Sequence, residues 1–122
     1  MLDKLKFYID GQWVDPVEPR TLDVVNPATE AVYGRISLGS AADVDKAVAA
    51  ARRAFTSYSR TTREQRLDLL KSILAEFKNR HNDVAEAIMD EMGAPWSLAK
   101  GAQALSGPQH FKAAIKALES YE

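Results

Sequence analysis

The sequence predicts two antiparallel β-hairpins followed by four or five helices, and three observations carry that prediction. Asp10-Gly11 stands between two short β-prone runs, and Asn26-Pro27 opens a turn between two more. Downstream, Ser40, Thr62 and Asp83 each precede an amphipathic stretch, at the position where a helix wants a side-chain cap. The hairpin region is expected over residues 1–39 and the helical region over 40–122.

In order, Lys6-Phe7-Tyr8-Ile9 and Gln12-Trp13-Val14 flank Asp10-Gly11. An Asp-Gly pair there signals a type I′ turn, which needs positive φ at both central positions. Asp15-Pro16 through Pro19 reads as a loop, and Thr21–Val25 as a strand. Pro27 keeps Asn26 out of the helical region, so the chain bends or stays extended. In the next run Val32, Gly34, Ile36 and Leu38 share one face, and Tyr33, Arg35 and Ser37 the other, which suits a half-buried strand. Gly39 ends it. Ser40 then caps a helix with Asp43 at its third position, and Val44, Val48, Ala51, Phe55 and Tyr58 draw one apolar stripe along it.

Ser59-Arg60-Thr61 is a short connection. Thr62, with Gln65 three residues on, makes a capping box for a second helix, whose apolar face carries Leu67, Leu70, Leu74 and Phe77, flanked by Leu69 and Ile73. A third helix is predicted from Asp83, with Glu86 as its reciprocal partner and Val84, Ala85, Ile88 and Met92 inward. Gly93 is placed to terminate it, and Pro95 prevents resumption in the same direction. The last segment begins near Trp96. Pro108 lacks the N–H that would bond back to Ala104, so a break is expected, with Ser106 and Gln109 capping a fresh helix that carries Phe111, Ala114, Ile115 and Leu118 on one side.

Composition bounds the function classes. With 122 residues, 46% hydrophobic and 27% charged, the chain suits one globular domain or part of a larger one. A formal net charge of −1 gives no global attraction to nucleic acid or to an anionic membrane. The absence of cysteine excludes disulfides, a thiolate zinc site and a cysteine nucleophile. No apolar run approaches the ~20 residues that span a bilayer, and the first residues lack the apolar core of a signal peptide. A cytoplasmic location is expected.

Residues with chemical potential read as structural. His81 and His110 are isolated, with no metal-ligand spacing. Asp83, Glu86 and Asp90 fall on the polar side of an amphipathic helix, with Glu91 beside them, and read as a solvated face. Arg52, Arg53, Arg60, Arg63, Arg66, Lys71, Lys78 and Arg80 outnumber Glu64, Asp68 and Glu76 over the same span. They are not interleaved with exposed aromatics, so solubility and ion pairing outweigh nucleic-acid binding. Gly101 and Gly107 belong to no nucleotide loop. No serine has a glycine-elbow context. Trp13 and Trp96 read as packing anchors.

One resemblance adds to this reading. The order NPATE, a strand ending in a small-residue turn, then ADVDKAVAAARRAF, resembles the amino-terminal part of the aldehyde dehydrogenase superfamily. Upstream, YIDGQWV resembles the family's first hairpin at the right spacing, and the likeness extends through Gly93-Ala94-Pro95. It implies an α/β parent fold in which this segment is a layer wrapping the dinucleotide-binding domain. It also implies oxidation of an aldehyde to a carboxylic acid, with hydride passed to NAD or NADP. The family's cysteine nucleophile, the glutamate that activates water, the oxyanion-holding asparagine and the dinucleotide site all belong to later parts of such a chain, so no catalytic, cofactor-binding or metal residue is assigned here. Main-chain groups that help hold a monovalent cation in some members map onto Val24 and Val25, while Gln103 stands near the family's acidic position. Glu-Met-Gly-Ala-Pro and Gly107-Pro108 depart from the commoner Thr-Gly-Lys-Pro pattern, which leaves subfamily and aldehyde open.

The segment alone is therefore expected to be inactive and to bind no cofactor, with the remainder of its own polypeptide as principal partner. Its helical faces, together with Phe7, Ile9, Trp13, Val25, Ile36 and Leu38, carry more apolar surface than the segment alone can cover, so the segment is expected to self-associate into a homo-oligomer, swap elements or be only marginally stable. The alternative is a stand-alone helical interaction module without catalysis.

Overall fold

The computed structural model describes residues 2–121. Met1 lies outside them, as does Glu122, the last residue of the expected helical region. The described chain forms two compact units, one of residues up to Asn26 with Glu30–Arg60, the other of Pro27–Thr29 with Thr61 onward.

The first unit contains strands β1 (Leu2–Lys4), β2 (Phe7–Ile9), β3 (Gln12–Val14), β4 (Thr21–Asn26) and β5 (Ala31–Ser37), then helix α1 (Ala41–Tyr58). Both predicted hairpins form. β2 pairs antiparallel with β3, with Tyr8 opposite Trp13 and their ring centroids 5.2 Å apart. Asp10 and Gly11 turn between them at φ 54° and 75°, as a type I′ turn requires. β4 and β5 pair antiparallel, with a bulge at Val24/Val25. Glu30 closes their connection at φ 58°, donating its N–H to the Asn26 carbonyl at 2.8 Å.

β1 was not expected. It runs parallel to β5, giving a sheet of order β1-β5-β4, with Asp3 opposite Arg35 and ion-paired to it at 2.7 Å. Three residues, all exposed, carry no alternation to read, and their partner lies some thirty positions away.

In the second unit α2 (Arg63–Asn79) starts on the predicted box. Thr62 Oγ1 accepts from Gln65 N–H at 3.2 Å, and Gln65 Oε1 accepts from Thr62 N–H at 2.9 Å. Helix α3 (His81–Met92) begins two residues earlier than predicted, after Arg80, and no side chain caps it. The Asp83 carboxylate is diverted instead to Arg80 Nε, 3.3 Å away. Met92, predicted inward, is exposed. Gly93 ends α3 in the left-handed region, φ 67°, its N–H bonded to the Met89 carbonyl. A side chain at Gly93 would meet Pro27 Cγ at 2.9 Å and the Ala28 nitrogen at 3.1 Å, so the NPATE turn is seated on this glycine.

The expected break at Pro108 does not occur. A short helix α4 (Trp96–Leu98) passes through a π turn (Ala99–Gln103) into α5 (Ala104–Glu119), with Pro108 inside it. Two features offset the missing N–H. The π turn widens the ladder just upstream, with Ala104 N–H bonding to the Ala99 carbonyl. Packing does the rest. Pro108 is buried, and Gly107 leaves room for Phe77, whose Cζ would stand 2.6 Å from a Cβ there. Phe77 also meets Phe111, ring centroids 6.3 Å apart. Leu67, Ala85, Ala99, Ala104 and Ile115 are the buried apolar residues of this unit.

Candidate functional site

The most organised polar group in the first unit is at the start of α1. Asp43 and Ser40 are 5% and 8% exposed. Asp43 Oδ2 accepts from the Ser40 N–H at 2.9 Å and from its hydroxyl at 2.8 Å, while Oδ1 accepts from Val17 N–H at 2.9 Å. These donors, the Ser40 backbone first and Val17 next, hold the Asp43 carboxyl below the usual carboxylate range. A carboxylate kept ionised with its oxygens occupied cannot shuttle protons near neutrality. It locks the loop at Val17 to the helix start, a tie between residues 26 apart that no local pattern announces.

In the second unit His81 Nε2 lies 3.1 Å from the Lys100 carbonyl in the π turn, so the imidazole serves the backbone there. Lys100 sits 5.4 Å from the Trp96 ring centroid, a cation–π contact. Of the basic residues, Arg53 pairs with Asp10 at 2.7 Å, Lys71 with Glu119 at 3.5 Å and Arg80 with Asp83 at 3.3 Å. Arg66 Nε donates to Thr61 Oγ1, and Arg63 Nη1 to the Tyr121 carbonyl. Arg53, Lys71 and Arg80 are thus committed to ion pairs, and Arg63 and Arg66 to neutral oxygens.

One open groove in that unit, about 470 Å³, is lined by Ile73, Phe77, Val84 and Ala87 with Glu76, Arg80 and Asp83. With Arg80 and Asp83 satisfying each other, it is a surface for apolar contact with no convergent acid, base or nucleophile. Among the described residues no group of three or more His, Cys, Asp or Glu gathers as a metal site. Gln103 Oε1 is buried without a hydrogen-bond partner. A neutral amide oxygen suits a monovalent cation in chemistry, but one oxygen does not make a coordination shell, so no cation is assigned to it.

The described residues thus form short strands and helices, two of the helices with capping boxes, and leave many large apolar side chains exposed. The sequence model of the aldehyde dehydrogenase family matches residues 13–122, and the chain belongs to that family. It is 49% identical over 123 residues to a 3-succinoylsemialdehyde-pyridine dehydrogenase of a Pseudomonas species, covering all of this chain and 26% of that relative. A putative aldehyde dehydrogenase of Staphylococcus aureus is 45% identical over 122 residues, with the same coverage. Among solved structures, an aldehyde dehydrogenase from Bartonella henselae superposes with a TM-score of 0.98 at 43% identity, over all of this chain and 26% of that one. Aldehyde dehydrogenase C of Pseudomonas syringae, solved as a mutant with NAD+ and octanal, gives 0.93 at 44% identity, over 96% of this chain and 24% of that one. The chain spans about a quarter of the length of the relatives it matches.

Proposed function

We propose that this chain is the amino-terminal structural segment of an NAD(P)-dependent aldehyde dehydrogenase, and that the whole enzyme oxidises an aldehyde to a carboxylic acid in the cytoplasm. The observation that carries the reading is the superposition on the Bartonella henselae enzyme over the full length of this chain. The Pseudomonas syringae relative, solved as a complex with NAD+ and octanal, supports the cofactor and the substrate class. The segment supplies no cysteine, so the nucleophile and the dinucleotide site come from the remainder of the polypeptide, and the residues present here bind neither cofactor nor substrate. Their role is to form a layer whose exposed apolar side chains, Val25, Val32 and Ile36 in the sheet and Leu38 just after it, are covered in the complete enzyme. Organisation as a hairpin region over 1–39 and a helical region over 40–122 belongs to the same proposal.

The test is a graft. Exchanging the matching quarter of the Bartonella henselae enzyme for this chain should give a folded protein that reduces NAD+ when supplied with an aldehyde, while the 122-residue chain alone gives no turnover above buffer. A folded chimera with no NADH formation across a panel of aldehydes, or turnover by the pure segment, would overturn the reading.

A further inference from the structure

We propose that His81 is a latch on the helix register of the α4–α5 rod. It holds the π turn at Ala99–Gln103 by occupying the main-chain acceptor that this turn releases. In an α-helix the Ala104 N–H would bond to the Lys100 carbonyl, four residues back. Here it bonds to the Ala99 carbonyl, so the Lys100 oxygen loses its helical donor. That same oxygen is the one His81 Nε2 approaches, at 3.1 Å and across 19 residues of chain. A carbonyl only accepts, so the imidazole donates, and the neutral ring carries its proton on Nε2.

The surroundings suit a register that can change. Backbone angles at Leu98 and Ala104, on either side of the turn, lie in the right-handed helical region, so no strained flank forces the wider winding. Gly101 stands in the middle of the turn with nothing within 4 Å of where a Cβ would be, and without positive φ. Neither space nor backbone geometry asks for glycine there, which leaves its softening of the ladder. The other partner is firm. His81 opens α3 at its junction with α2, where the Arg80 N–H is bonded to the Glu76 carbonyl. Helix α3 also packs on the turn, and Ala85 and Ala99 are both fully buried.

Closing the turn to plain α-helix changes the winding by one residue, about 100°. The α5 side is pinned: Gly107 lies against Phe77, Pro108 is buried, and Glu119 pairs with Lys71 at 3.5 Å. The rotation therefore falls on α4, and carries Trp96 and Leu98, 40% and 48% exposed, to another side of the rod. His81 thus positions the α4 surface without being part of it.

Scalar couplings across hydrogen bonds, measured by NMR on the isotope-labelled 122-residue chain, name the acceptor of each amide. In the native chain the Ala104 amide should couple to the Ala99 carbonyl, and the neutral His81 ring should show the Nε2–H tautomer alone, with exposed His110 as reference. In His81→Leu the Ala104 coupling should move to the Lys100 carbonyl, and hydrogen exchange at Gln103 and Ala104 should slow at least about fivefold as the ladder closes. Trp96 emission should shift with it in a Trp13→Phe background. His81→Gln, whose side-chain amide donates from a similar reach, should keep the native pattern. A histidine that merely stabilised the fold would, once removed, leave residues 99–107 exchanging faster. That outcome overturns the proposal, as does an Ala104 amide still coupled to Ala99 in His81→Leu. Where His81→Leu does not fold, the native ring decides. Protonation on Nδ1 in the neutral ring, or no coupling between Nε2 and the Lys100 carbonyl, overturns the proposal equally.

Discussion

The helical unit has an interior of its own and the strand unit largely does not. In the first unit Ala50 is the one buried apolar residue among those described, and the best-enclosed side chain belongs to a carboxylate, Asp43. In the second, Leu67, Ala85, Ala99, Ala104 and Ile115 are buried, and Phe77 meets both Gly107 and the Phe111 ring. Strand ladders, a type I′ turn and a capping box set the backbone of the first unit with little apolar burial behind it. One region is stabilised mainly by packing, the other mainly by directed hydrogen bonds, and both leave large apolar side chains exposed.

The contrast is sharpest in a pair of truncations. Leu67→Ala should destabilise the helical unit by about 2–4 kcal/mol, the cost of a cavity at a buried leucine. Val48→Ala in a dilute monomer should cost less than about 0.5 kcal/mol, because a half-exposed valine has little burial to lose. The chain carries one tryptophan per unit, Trp13 and Trp96, so fluorescence during urea unfolding of Trp13→Phe and Trp96→Phe backgrounds reads each unit separately. Equal losses at the two sites would break the distinction.

Next in size is Gly93→Ala, expected to cost about 2–3 kcal/mol. Left-handed φ at a residue with a Cβ costs roughly 1–2 kcal/mol, and the new methyl runs into Pro27 and the Ala28 backbone. Urea midpoints from Trp96 fluorescence check it, and an unshifted midpoint would mean that the NPATE turn is not anchored there. Glu30→Gly should act in the opposite direction, stabilising the strand unit by about 0.5–1 kcal/mol, since glycine takes the observed φ of 58° without strain. Differential unfolding read at Trp13 decides the sign.

The smallest expected effect is confined to acid. The folded carboxyl of Asp43 lies below its ordinary value of 3.8. Its contribution is therefore fully present above that value and is lost as pH falls through the lower folded pKa. Melting midpoints of the native chain and of Asp43→Asn should converge as the pH falls below about 4. A gap of constant size over that range would show that the carboxylate charge is not what ties Val17 to the helix.

The parts legible in the sequence are those whose causes lie within a few residues. Asp10-Gly11, Ser40 with Asp43 and Thr62 with Gln65 each state a turn or cap in four residues or fewer, and each is found in place. Asp83 misled because its carboxylate had a competing local partner in Arg80. Pro108 misled because the packing of Phe77 on α5 involves residues thirty positions apart. β1 left one trace. Gly34 sits inside a strand, the mark of a close backbone neighbour, and the Leu2 carbonyl lies where its Cβ would be. The openness of the α1 stripe was not legible, because a stripe reads the same whether its partner lies within the chain or beyond it.

The π turn at Ala99–Gln103 and the proline at position 108 fall within three turns of one continuous helix. Every amide proton in such a rod exchanges with solvent at a rate set by the ease of opening around it. Here the ladder is loosened at 99–103 and lacks a rung at Pro108, whereas the amides from Phe111 to Leu118 lie in unbroken α-helix against α2. The α4–α5 rod should therefore take up deuterium first from within, at 99–107, leaving a slowly exchanging block at 111–118. That is a seam inside a helix, where ordinary fraying would start at the ends.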